Sequence, residues 1–375
     1  MKILFTGGGT GGHFYPIIAV AEKVNKILDK EKIINSKLYF MSDSPYDKKA
    51  LFENGIIFEK IYAGKMRTYF SVKNFFDLFK IFFGIIGSIF KVYSIYPDVI
   101  FAKGGYASFP VLVAARIFKI PVIIHESDSA PGRVNVWASK FAEKIAISYE
   151  EAIKYFPVDK TAFTGQPVRK EIERPVKEGA YEYLKLEENI PVILVLGGSQ
   201  GAERINNTIT DTLSDLISKY QIIHQVGEKN LPIVKELSEG ILNNSDYKDR
   251  YKPFGFLNDL AIKMSAGVSD LVISRAGSTI FEIASWGIPS IIIPITNSNG
   301  DHQRKNAFNY ARAGACVVIE ESNLTPSVLV AEIEKLINDK EKIAKMKSAA
   351  SNFYKADAAD KIALEIVKIA IKHEK

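Results

Sequence analysis

Three glycine-rich turns, each directly after an apolar run, are the segments of this sequence best suited to hold an anionic ligand. Glycine lets the backbone turn sharply and approach a ligand, and the free amide groups at a helix start favour anions such as a diphosphate. Parallel sheets bind ligands at the carboxyl ends of their strands, so we expect each turn to lie at a binding edge. The turns contain Gly8, Gly9, Thr10, Gly11 and Gly12 after KILFT, Gly104 and Gly105 after DVIFA, and Gly197, Gly198 and Gly201 after VILVL.

Two common classes of phosphate-binding protein fit these turns poorly. A nicotinamide-binding turn is followed by an acidic residue at the end of the next strand, about 20 residues later. Here the next apolar run ends at Ser42 and Asp43, roughly 30 residues after the turn. The sequence also lacks the GxxxxGK[ST] pattern of NTP-hydrolysing enzymes. The sequence therefore disfavours a nicotinamide-dependent oxidoreductase and an NTP hydrolase.

Ionisable side chains accompany two of the turns and their neighbouring strand. His13 follows the first turn, where an imidazole, with an ordinary pKa of about 6.5, suits proton transfer near neutral pH; its alternative role is to cap the helix. His125 and Glu126 end the run PVIIHE, and Asp128 follows closely. The adjacent pair Asp301 and His302 has no third ligand at a useful spacing, so we predict no metal site.

The composition is that of a globular protein from a reducing compartment. The 375 residues are 47% hydrophobic and 25% charged, with a net charge of +6. The single cysteine, Cys316, lies in the apolar run ACVVIE and is expected in the core. We find no secretory signal, and the longest strongly apolar run, Ile81 to Phe90, is half the roughly 20 residues that a spanning helix needs. No dense basic run interleaved with aromatic residues indicates nucleic acid binding.

The elements that must position these residues form two series. Short β-branched runs (KILFT, LYFM, DVIFA, PVIIHE and KIAIS) alternate with helix-length segments, and a second series begins at Pro191 with VILVL. This alternation is typical of βαβ units around a parallel sheet. We predict an α/β protein of two Rossmann-like domains, residues 1–163 and 164–375. The last amphipathic segment, around Ile366, is left open to pack on either domain.

Six segments, in order along nearly the whole chain, resemble the successive signatures of the MurG family. They are GGTGGH at 8–13, KGGYASFP at 103–110, HESDSAPGRVN at 125–135, TGQPVR at 164–169, GGSQGA at 197–202 and SRAGSTIFEIASWGIPSIIIPI at 274–295. The resemblance implies the GT-B glycosyltransferase fold, in which two Rossmann-like domains face each other across a cleft. It also implies inverting transfer of N-acetylglucosamine from UDP-N-acetylglucosamine to the undecaprenyl-linked muramyl-pentapeptide lipid I, which gives lipid II.

The resemblance assigns the acceptor to the N-terminal domain. Direct displacement needs a base for the acceptor hydroxyl, and His13 is the leading candidate, with Asp128 as the alternative and Glu126 as a further competing carboxylate. Some relatives carry Gln and Asn where this chain has Ser127 and Asp128, so an amide role does not transfer to this chain. The acceptor-binding residues implied are Gly8, Gly9, Thr10, Gly104, Gly105, Tyr106, His125 and Glu126.

The resemblance assigns the donor mainly to the C-terminal domain. A helix start at Ser278 suits the diphosphate, and Glu282 suits the ribose hydroxyls. Gln303 is expected at the sugar, and the backbone near Leu257 at the uracil. The donor-binding residues implied are Thr10, Gly11, Gly12, His13, Asp128, Arg169, Ser199, Gln200, Gly201, Leu257, Ser278, Thr279, Glu282 and Gln303. No cofactor is required, and any stimulation by Mg²⁺ would need no dedicated protein site.

The segment from Lys60 to Lys91 contains six basic residues and one acidic residue beside a wide apolar arc. One interpretation is a helix buried deep in the N-terminal domain. The other is docking on an anionic membrane surface, which a polyprenyl-linked acceptor favours and which implies a peripheral protein at the cytoplasmic face of the cell membrane. The residues assigned to the membrane are Phe75, Phe79, Phe82, Phe83, Lys65, Arg67 and Lys73.

Three other functions remain open from the sequence. A related GT-B enzyme with another lipid acceptor would differ mainly in residues 103–135, where the motifs favour lipid I. A UDP-sugar epimerase would not need the apolar basic segment. A non-catalytic nucleotide-sugar-binding module that scaffolds membrane enzymes would not need His13 or Glu282. Other enzymes of cell-wall synthesis are further partners that the resemblance implies.

Overall fold

The computed structural model describes residues 1–65, 72–197, 202–296 and 298–374. The chain folds into two compact parts, which we call unit 1 (Met1–Arg169 with Lys355–Lys375) and unit 2 (Lys170–Tyr354). Each unit is built around one parallel β-sheet. The α/β class predicted from the alternating sequence pattern is therefore confirmed.

Unit 1 contains a seven-stranded sheet. Its strands are β1 (Lys2–Thr6), β2 (Lys37–Ser42), β3 (Ile56–Lys60), β4 (Val99–Ala102), β5 (Val122–Glu126), β6 (Lys144–Ile147) and β7 (Thr161–Phe163). They are ordered β3-β2-β1-β4-β5-β6-β7, and every pair is parallel. All residues of β4 and β5 are buried, which explains why their sequences are apolar runs without alternation. The chain order reverses between β1 and β4, the type of position where open α/β sheets bind ligands.

The helices of unit 1 connect these strands. They are α1 (Gly11–Lys30), α2 (Lys48–Glu53), α3 (Val72–Ile95), α4 (Phe109–Phe118) and α5 (Arg133–Ala138), together with the last helix of the chain, α16 (Ala358–Glu374). Helix α16 packs along α1. Its Ile362, Ile366 and Ile369 are buried in the same cluster as Ile3 and Phe5 of β1. The last amphipathic segment is thus part of unit 1.

The boundary between the units differs from the one expected after Phe163. Residues 164–169 belong to unit 1, because the amides of Thr164 and Gly165 both donate to the carbonyl of Ile147 at the end of β6. Gly165 has a φ of +84° and lies against Lys355, which precedes α16. The sequence analysis placed the boundary near Phe163, but the backbone hydrogen bonds of Thr164 and Gly165 hold the chain to the first sheet beyond that residue.

Unit 2 contains a six-stranded sheet of order β10-β9-β8-β11-β12-β13, again with all pairs parallel. These strands are β8 (Val192–Leu196), β9 (Gln221–Gln225), β10 (Tyr251–Phe254), β11 (Leu271–Ser274), β12 (Ser290–Ile292) and β13 (Cys316–Val318). The helices are α6 (Lys170–Glu173), α7 (Ala180–Leu184), α8 (Glu203–Asp211), α9 (Leu213–Leu216), α10 (Leu231–Leu242), α11 (Asp259–Val268), α12 (Thr279–Trp286), α13 (His302–Arg312), α14 (Pro326–Asn338) and α15 (Lys340–Phe353). Cys316 is buried, as expected for a core residue.

Helix α3 buries Asp77, Gly84 and Ser88 and exposes most of its aromatic residues. Asp77 and Ser88 are buried, and a methyl group built on Gly84 would lie only 2.0 Å from the carbonyl oxygen of Tyr62. The opposite face carries large side chains that are about half exposed or more, namely Phe75, Phe76, Leu78, Phe79, Phe82, Phe83, Phe90 and Tyr93. The interpretation of α3 as a helix buried on all sides is therefore wrong.

Within the described residues, one stretch of helix, Phe75–Ile95, is long and apolar enough to cross a membrane by length and composition. It has 21 residues, and 22% of its most apolar window is buried. The apolar segment is thus about twice as long as the run Ile81 to Phe90 that the sequence suggested, because the helix continues through Asp77, Lys80 and Lys91 without a break. Asp77 lies 3.4 Å from Lys80, so the charges inside this segment are paired.

Candidate functional site in unit 1 and donor-side elements of unit 2

The first glycine turn orients His13 at the carboxyl edge of the unit 1 sheet. Thr10 is extended, with a φ of −152°, and its carbonyl accepts the amide of His13 at 3.1 Å, which begins α1. The Thr10 Oγ1 atom lies 3.0 Å from His13 Nδ1. This contact fixes one ring nitrogen and leaves Nε2 directed toward the second glycine turn, where a methyl group built on Gly105 would lie 3.6 Å from it. The two turns, far apart in sequence, therefore meet around the imidazole.

The second glycine turn follows β4 and requires glycine at two successive positions. Gly104 and Gly105 have φ values of +81° and +80°, which place both in the left-handed region. A methyl group on Gly104 would lie 2.7 Å from Asn135 Nδ2, and one on Gly105 would lie 3.2 Å from the carbonyl oxygen of Gly8. The backbone of this turn thus packs directly against α5 and the first turn.

Tyr106 lies beside the first glycine turn and is held by Asp43. Its hydroxyl donates to Asp43 Oδ2 at 2.7 Å, and Asp43 Oδ1 accepts from Ser42 Oγ at 3.2 Å. Burial, followed by the hydrogen bond to Asp43, raises the pKa of Tyr106 well above its ordinary value. A methyl group on Gly9 would lie 2.8 Å from the Tyr106 ring. Tyr106 is therefore protonated, and it presents a neutral hydroxyl and an aromatic ring at this edge of the sheet.

Glu126 ends β5 with both carboxylate oxygens occupied by donors. Its Oε1 accepts the amide of Asp128 at 3.0 Å, and its Oε2 accepts the amide of Gly132 at 3.0 Å and Asn135 Nδ2 at 2.9 Å. The side chain is buried. Glu126 therefore holds the loop between β5 and α5 in shape, and that loop presents the partly exposed Asp128. This geometry favours Asp128 over Glu126 as the carboxylate that meets a ligand.

His125 is fully buried and points away from solvent into the sheet edge. Its Nε2 lies 3.1 Å from the carbonyl oxygen of Gly165 and 3.3 Å from Ser148 Oγ. Because a carbonyl only accepts, Nε2 carries the proton and Nδ1 is an acceptor. Burial, followed by the charge of Lys103, lowers the pKa of His125 well below its ordinary value, so the ring is neutral. The expected contact of His125 with an acceptor stays a prediction; within unit 1 its ring contacts protein groups.

Lys103 is the residue of this site that sequence reasoning missed. It follows β4 directly, it is buried, and its Nζ lies 2.6 Å from His125 Nδ1 and 3.3 Å from Gln166 Oε1. It also donates to Ser127 Oγ. The available signal was a charged residue between a buried apolar run and two glycines, a position where a lysine in an α/β sheet has no access to water.

Two ionisable groups of this network have strongly shifted pKa values. Burial lowers the pKa of Lys103 to about 7, an effect that the charges of Glu126 and Asp128 oppose. Burial, with a contribution from the charge of Asp128, raises the pKa of Glu126 to about 7, and its three hydrogen bonds oppose that rise. Shifted groups at the carboxyl edge of an open sheet are typical of functional sites.

Arg169 lies in unit 1, at the end of its first segment. Its guanidinium carbon is 3.6 Å from the centre of the Tyr15 ring on α1, a cation–π contact. Tyr15 in turn packs edge-on against Tyr46. The positive charge expected near the donor is thus anchored beside the helix that begins at the first glycine turn, and donor binding by Arg169 stays a prediction.

The donor-side elements of unit 2 lie at the carboxyl ends of its strands. Gly197 follows β8, whereas the donor-side residues Ser199, Gln200 and Gly201 lie outside the described residues. The amide of Leu257 donates to Gln225 Oε1 at 3.0 Å, so this amide is engaged within the unit and any backbone contact with uracil falls to other atoms of the loop.

The helix start expected to face a diphosphate follows β11. Ser278 is the residue before α12, and Ser278, Thr279 and Glu282 are each partly buried. Arg275 donates to the carbonyl of Ile293 at 3.2 Å and pairs with Glu321. The arginine thus braces the ends of β11 and β12, while the amides at the start of α12 face the carboxyl edge of the sheet.

Gln303 lies in the first turn of α13 and contacts the loop after β12. The side-chain Oε1 of Gln303 accepts the backbone amide of Ile295 at 3.1 Å, and the backbone amide of Gln303 donates to Ser298 Oγ at 3.2 Å. Asn306, one turn later, donates to the carbonyl of Ala276 at 3.1 Å. Gln303 thereby shapes the loop at which the resemblance places the sugar; its side-chain Nε2 is the group left to meet a hydroxyl.

Across the described ranges, no group of three or more His, Cys, Asp or Glu side chains could hold a metal ion. Asp301 lies 3.9 Å from Arg304.

Comparison with known proteins places this geometry in a family. Residues 3–147 match the glycosyltransferase family 28 N-terminal domain, and residues 192–362 match the glycosyltransferase family 28 C-terminal domain. A Treponema denticola protein named UDP-N-acetylglucosamine–N-acetylmuramyl-(pentapeptide) pyrophosphoryl-undecaprenol N-acetylglucosamine transferase is 35% identical, over 97% of this chain and 95% of its own length. This chain is a MurG-family glycosyltransferase. A Clostridium novyi protein of the same name is 35% identical over 94% of this chain and 95% of its own length.

Solved structures agree with the MurG-family fold. The crystal structure of Acinetobacter baumannii MurG matches with a TM-score of 0.72 at 24% identity and covers 98% of this chain and 99% of its own. A UDP-GlcNAc 2-epimerase from Neisseria meningitidis, solved with UDP-GlcNAc bound, matches with a TM-score of 0.67 at 18% identity and covers 98% of this chain and all of its own, 100%. These likenesses show the GT-B fold, which MurG-family enzymes share with such epimerases.

Proposed function

We propose that this MurG-family glycosyltransferase transfers N-acetylglucosamine from UDP-N-acetylglucosamine to the muramyl sugar of lipid I, with inversion, and so makes lipid II for peptidoglycan. The single observation that carries the proposal is the 35% identity, over 97% of the chain, to a transferase named for this reaction. The site residues support it. Two glycine turns meet around His13, and Asp128 lies on a loop held from below by Glu126.

The reaction needs one proton acceptor and one stabilised leaving group. The acceptor hydroxyl of the muramyl sugar attacks the anomeric carbon of N-acetylglucosamine, its proton passes to the enzyme base, and the bond to UDP breaks. We assign the base to His13, whose Nδ1 is fixed by Thr10 and whose Nε2 faces the second glycine turn. Asp128 is the alternative base. The start of α12 in unit 2 suits the diphosphate, because helix-start amides favour the charge that develops on UDP.

No cofactor is part of this proposal. The residues at the start of α12 and Arg169 would stabilise the departing diphosphate, and Mg²⁺ would act, if at all, on the diphosphate in solution. Adding EDTA during turnover tests this point: activity that falls to background and returns only with Mg²⁺ would require a metal step and would contradict it.

We further propose that the exposed face of α3 docks on an anionic membrane, which makes the enzyme peripheral at the cytoplasmic face. The aromatic side chains Phe75, Phe79, Phe82 and Phe83 are between 50% and 62% exposed. Exposed apolar patches of this size mark binding surfaces. Asp77, Gly84 and Ser88 of α3 are buried and α3 packs on α4, so the helix lies along unit 1 and presents a largely aromatic face outward. Lys65 also belongs to this segment, Arg67 lies outside the described residues, and no side-chain position is described for Lys73.

The test of the reaction is UDP release from UDP-N-acetylglucosamine, with and without a lipid I analogue, by the wild type, His13→Ala and Asp128→Asn. We expect release to depend on the acceptor and to fall about 10²–10⁴-fold in the variant that lacks the base, a larger loss than any weakening of donor binding. His373→Gln, which alters a histidine on α16, is the matched control. Conversion of UDP-N-acetylglucosamine to its 2-epimer without acceptor would instead support an epimerase, and donor binding with no turnover on lipid I would contradict the proposal.

A further inference from the structure

Lys103 is held between the first glycine turn and the end of β5. Its amide donates to the carbonyl of Thr6 at 2.9 Å, and a methyl group on Gly7 would lie 3.0 Å from its Cβ. Only 1% of the residue is exposed. Burying an ammonium group is costly unless hydrogen bonds and opposite charge compensate it. Neither the reaction nor the fold class alone requires a lysine at this position. The groups that compensate the cost of burying its charge therefore indicate a functional role.

The surroundings of the Lys103 ammonium provide one acceptor for each of its three hydrogens. His125 Nδ1 lies at 2.6 Å, Gln166 Oε1 at 3.3 Å, and Ser127 Oγ is the third partner. His125 accepts, because its other nitrogen donates to the carbonyl of Gly165. Gln166 Oε1 also accepts from Ser148 Oγ at 2.9 Å, which fixes the amide orientation. Three acceptors match a charged ammonium, since a neutral amine has only two hydrogens.

The charges near the Lys103 ammonium belong to side chains at the carboxyl edge of the unit 1 sheet. Glu126, from β5, and Asp128, from the loop after β5, both stabilise the charged form of Lys103. His125 is neutral, and His13 on α1, Tyr106 and Asp43 are further titratable groups at this edge. Of the two carboxylates that stabilise the charged lysine, Asp128 is the partly exposed one, one residue after Ser127. The Lys103 ammonium therefore interacts electrostatically with both carboxylates, and it donates to Ser127, the residue between them in sequence.

We propose that Lys103 is a positioning residue for the glycosyl transfer: its ammonium holds Ser127 and thereby sets the Asp128 side chain beside the two glycine turns. This inference rests on the proposed function. Glu126 holds the same loop through the amide of Asp128 at 3.0 Å, so loop and carboxylate are fixed from two sides. Lys103 acts through Asp128 and does not touch substrate.

Removing the ammonium has a defined electrostatic consequence. A nearby cation favours an ionised carboxylate, so its loss raises the pKa of that carboxylate. Glu126, whose pKa burial already raises to about 7, would then stay protonated to a higher pH than in the wild type. The acidic limb of the pH profile of kcat/KM for acceptor would move to higher pH, whereas a purely structural defect would lower the whole profile without moving its limb.

The test compares Lys103→Met, of similar length but uncharged, with Lys140→Met, which removes an exposed lysine from the same unit. UDP release is measured against acceptor concentration from pH 5 to pH 9, and UDP-N-acetylglucosamine binding is measured separately. For Lys103→Met we expect acceptor kcat/KM to fall about 10–100-fold at pH 7, the acidic limb to rise by about 1 unit or more, and donor binding to stay unchanged. Lys140→Met should match the wild type. A Lys103→Met profile with its limb at the wild-type pH overturns the inference.

A second variant covers the case in which Lys103→Met does not fold. Ser127→Ala keeps the ammonium and removes only the hydroxyl that it holds, a small change on a partly exposed residue. We expect a roughly 3–10-fold fall in acceptor kcat/KM with donor binding unchanged, from one lost hydrogen bond. Wild-type kinetics in Ser127→Ala would overturn the role of Lys103 in holding this loop.

UDP release by the wild type distinguishes failure of the proposed function from failure of this inference. If the wild type releases no UDP with the lipid I analogue, the proposed function fails. The link between Lys103 and Asp128 is then read from unfolding of Lys103→Met, Asp128→Asn and the double variant. We expect the unfolding equilibrium constant of the double variant to differ about 10-fold or more from the product of the single effects, because the two charges compensate each other. Additive effects overturn the link.

Discussion

Asn135 Nδ2 lies 2.9 Å from Glu126 Oε2, and the same oxygen accepts the amide of Gly132 at 3.0 Å. With the amide of Asp128 on Oε1, three donors converge on one buried carboxylate. A carboxylate has only acceptor oxygens, so it fits this position in a way that no amide can. Glu126 is therefore the group that shapes the loop between β5 and α5.

The first prediction concerns Glu126→Gln. Its NH₂ group must face at least one of the three donors, which leaves a buried donor unpaired at a cost of about 1–3 kcal/mol. We expect faster hydrogen exchange at the amides of Asp128 and Gly132 and a loss of acceptor-dependent turnover. Glu150→Gln, on an exposed position, is the control. Unchanged exchange at both amides would show that Glu126 does not hold the loop.

The second prediction uses two glycines of the same region. Gly104→Ala places a methyl group 2.7 Å from Asn135 Nδ2 at a φ of +81°, so it strains the backbone and pushes Asn135 away from Glu126. We expect a destabilisation of about 1–3 kcal/mol and at least tenfold lower turnover. Gly132→Ala is the control, because its φ is −68° and no atom lies within 4 Å of the added methyl group. Equal thermal stability of the two variants would contradict the close packing of Gly104.

The third prediction concerns membrane docking by α3. Replacing Phe79 and Phe83 by Ser removes two exposed aromatic side chains, and we expect at least tenfold weaker binding to vesicles that contain anionic lipid, at about 1–3 kcal/mol per buried aromatic side chain. Phe52→Ser, on a helix outside this face, is the control, since Phe52 is 85% exposed. Sedimentation with vesicles measures the binding.

Charge reversal of Lys65, Arg67 and Lys73 tests the electrostatic part of the same docking. We expect weaker binding at low salt, with the difference from wild type shrinking as salt screens the charges. Vesicle binding that is unaffected at low salt by either set of changes would exclude this segment as the docking surface.

The fourth prediction concerns acid stability of unit 2. His224 on β9 is buried, with Tyr251 Oη at 2.8 Å and Asn206 Oδ1 at 3.1 Å, and burial lowers its pKa to about 3. Below about pH 6.5 the imidazole of His224 therefore binds a proton in the unfolded state but not in the folded state. The free energy of unfolding falls as the pH decreases from about 6.5 toward 3. The slope is about 1.4 kcal/mol per pH unit at most.

Hydrogen exchange of β9 amides between pH 4 and pH 7 measures this loss. After correction for the intrinsic pH dependence of exchange, His224→Gln should show a flatter dependence of opening free energy on pH than the wild type, whereas His373→Gln should not. Parallel wild-type and His224→Gln curves would rule out a neutral buried imidazole at this position.

The sequence was sufficient to predict the two-unit α/β fold and the position of its glycine turns at the carboxyl ends of strands. Both follow from local patterns, namely the apolar runs and the turns at their carboxyl ends. The role of Lys103 could not be read in the same way, since its partners Ser127 and Gln166 come from other strands and only the sheet order brings them together. The lysine between an apolar run and two glycines was a signal of burial, but only the structure reveals its partners.

The direction of α3 also needed the structure. From the sequence, the narrow polar stripe of α3 is equally compatible with contact to water and with contact to polar groups of the protein. The close approach of Gly84 to Tyr62 and the burial of Ser88 turn that stripe inward. The boundary after Arg169 was likewise hidden, because the hydrogen bonds from Thr164 and Gly165 to Ile147 leave no mark in the composition.

The packing of α16 on α1 has a consequence for biosynthesis. Ile362, Ile366 and Ile369 complete the core around β1, yet the ribosome makes them after all of unit 2. Domains fold as units while the chain emerges, so unit 2 gains its full complement of residues before unit 1 does. During translation, the surface of α1 that α16 covers therefore stays exposed until the end of the chain has been made.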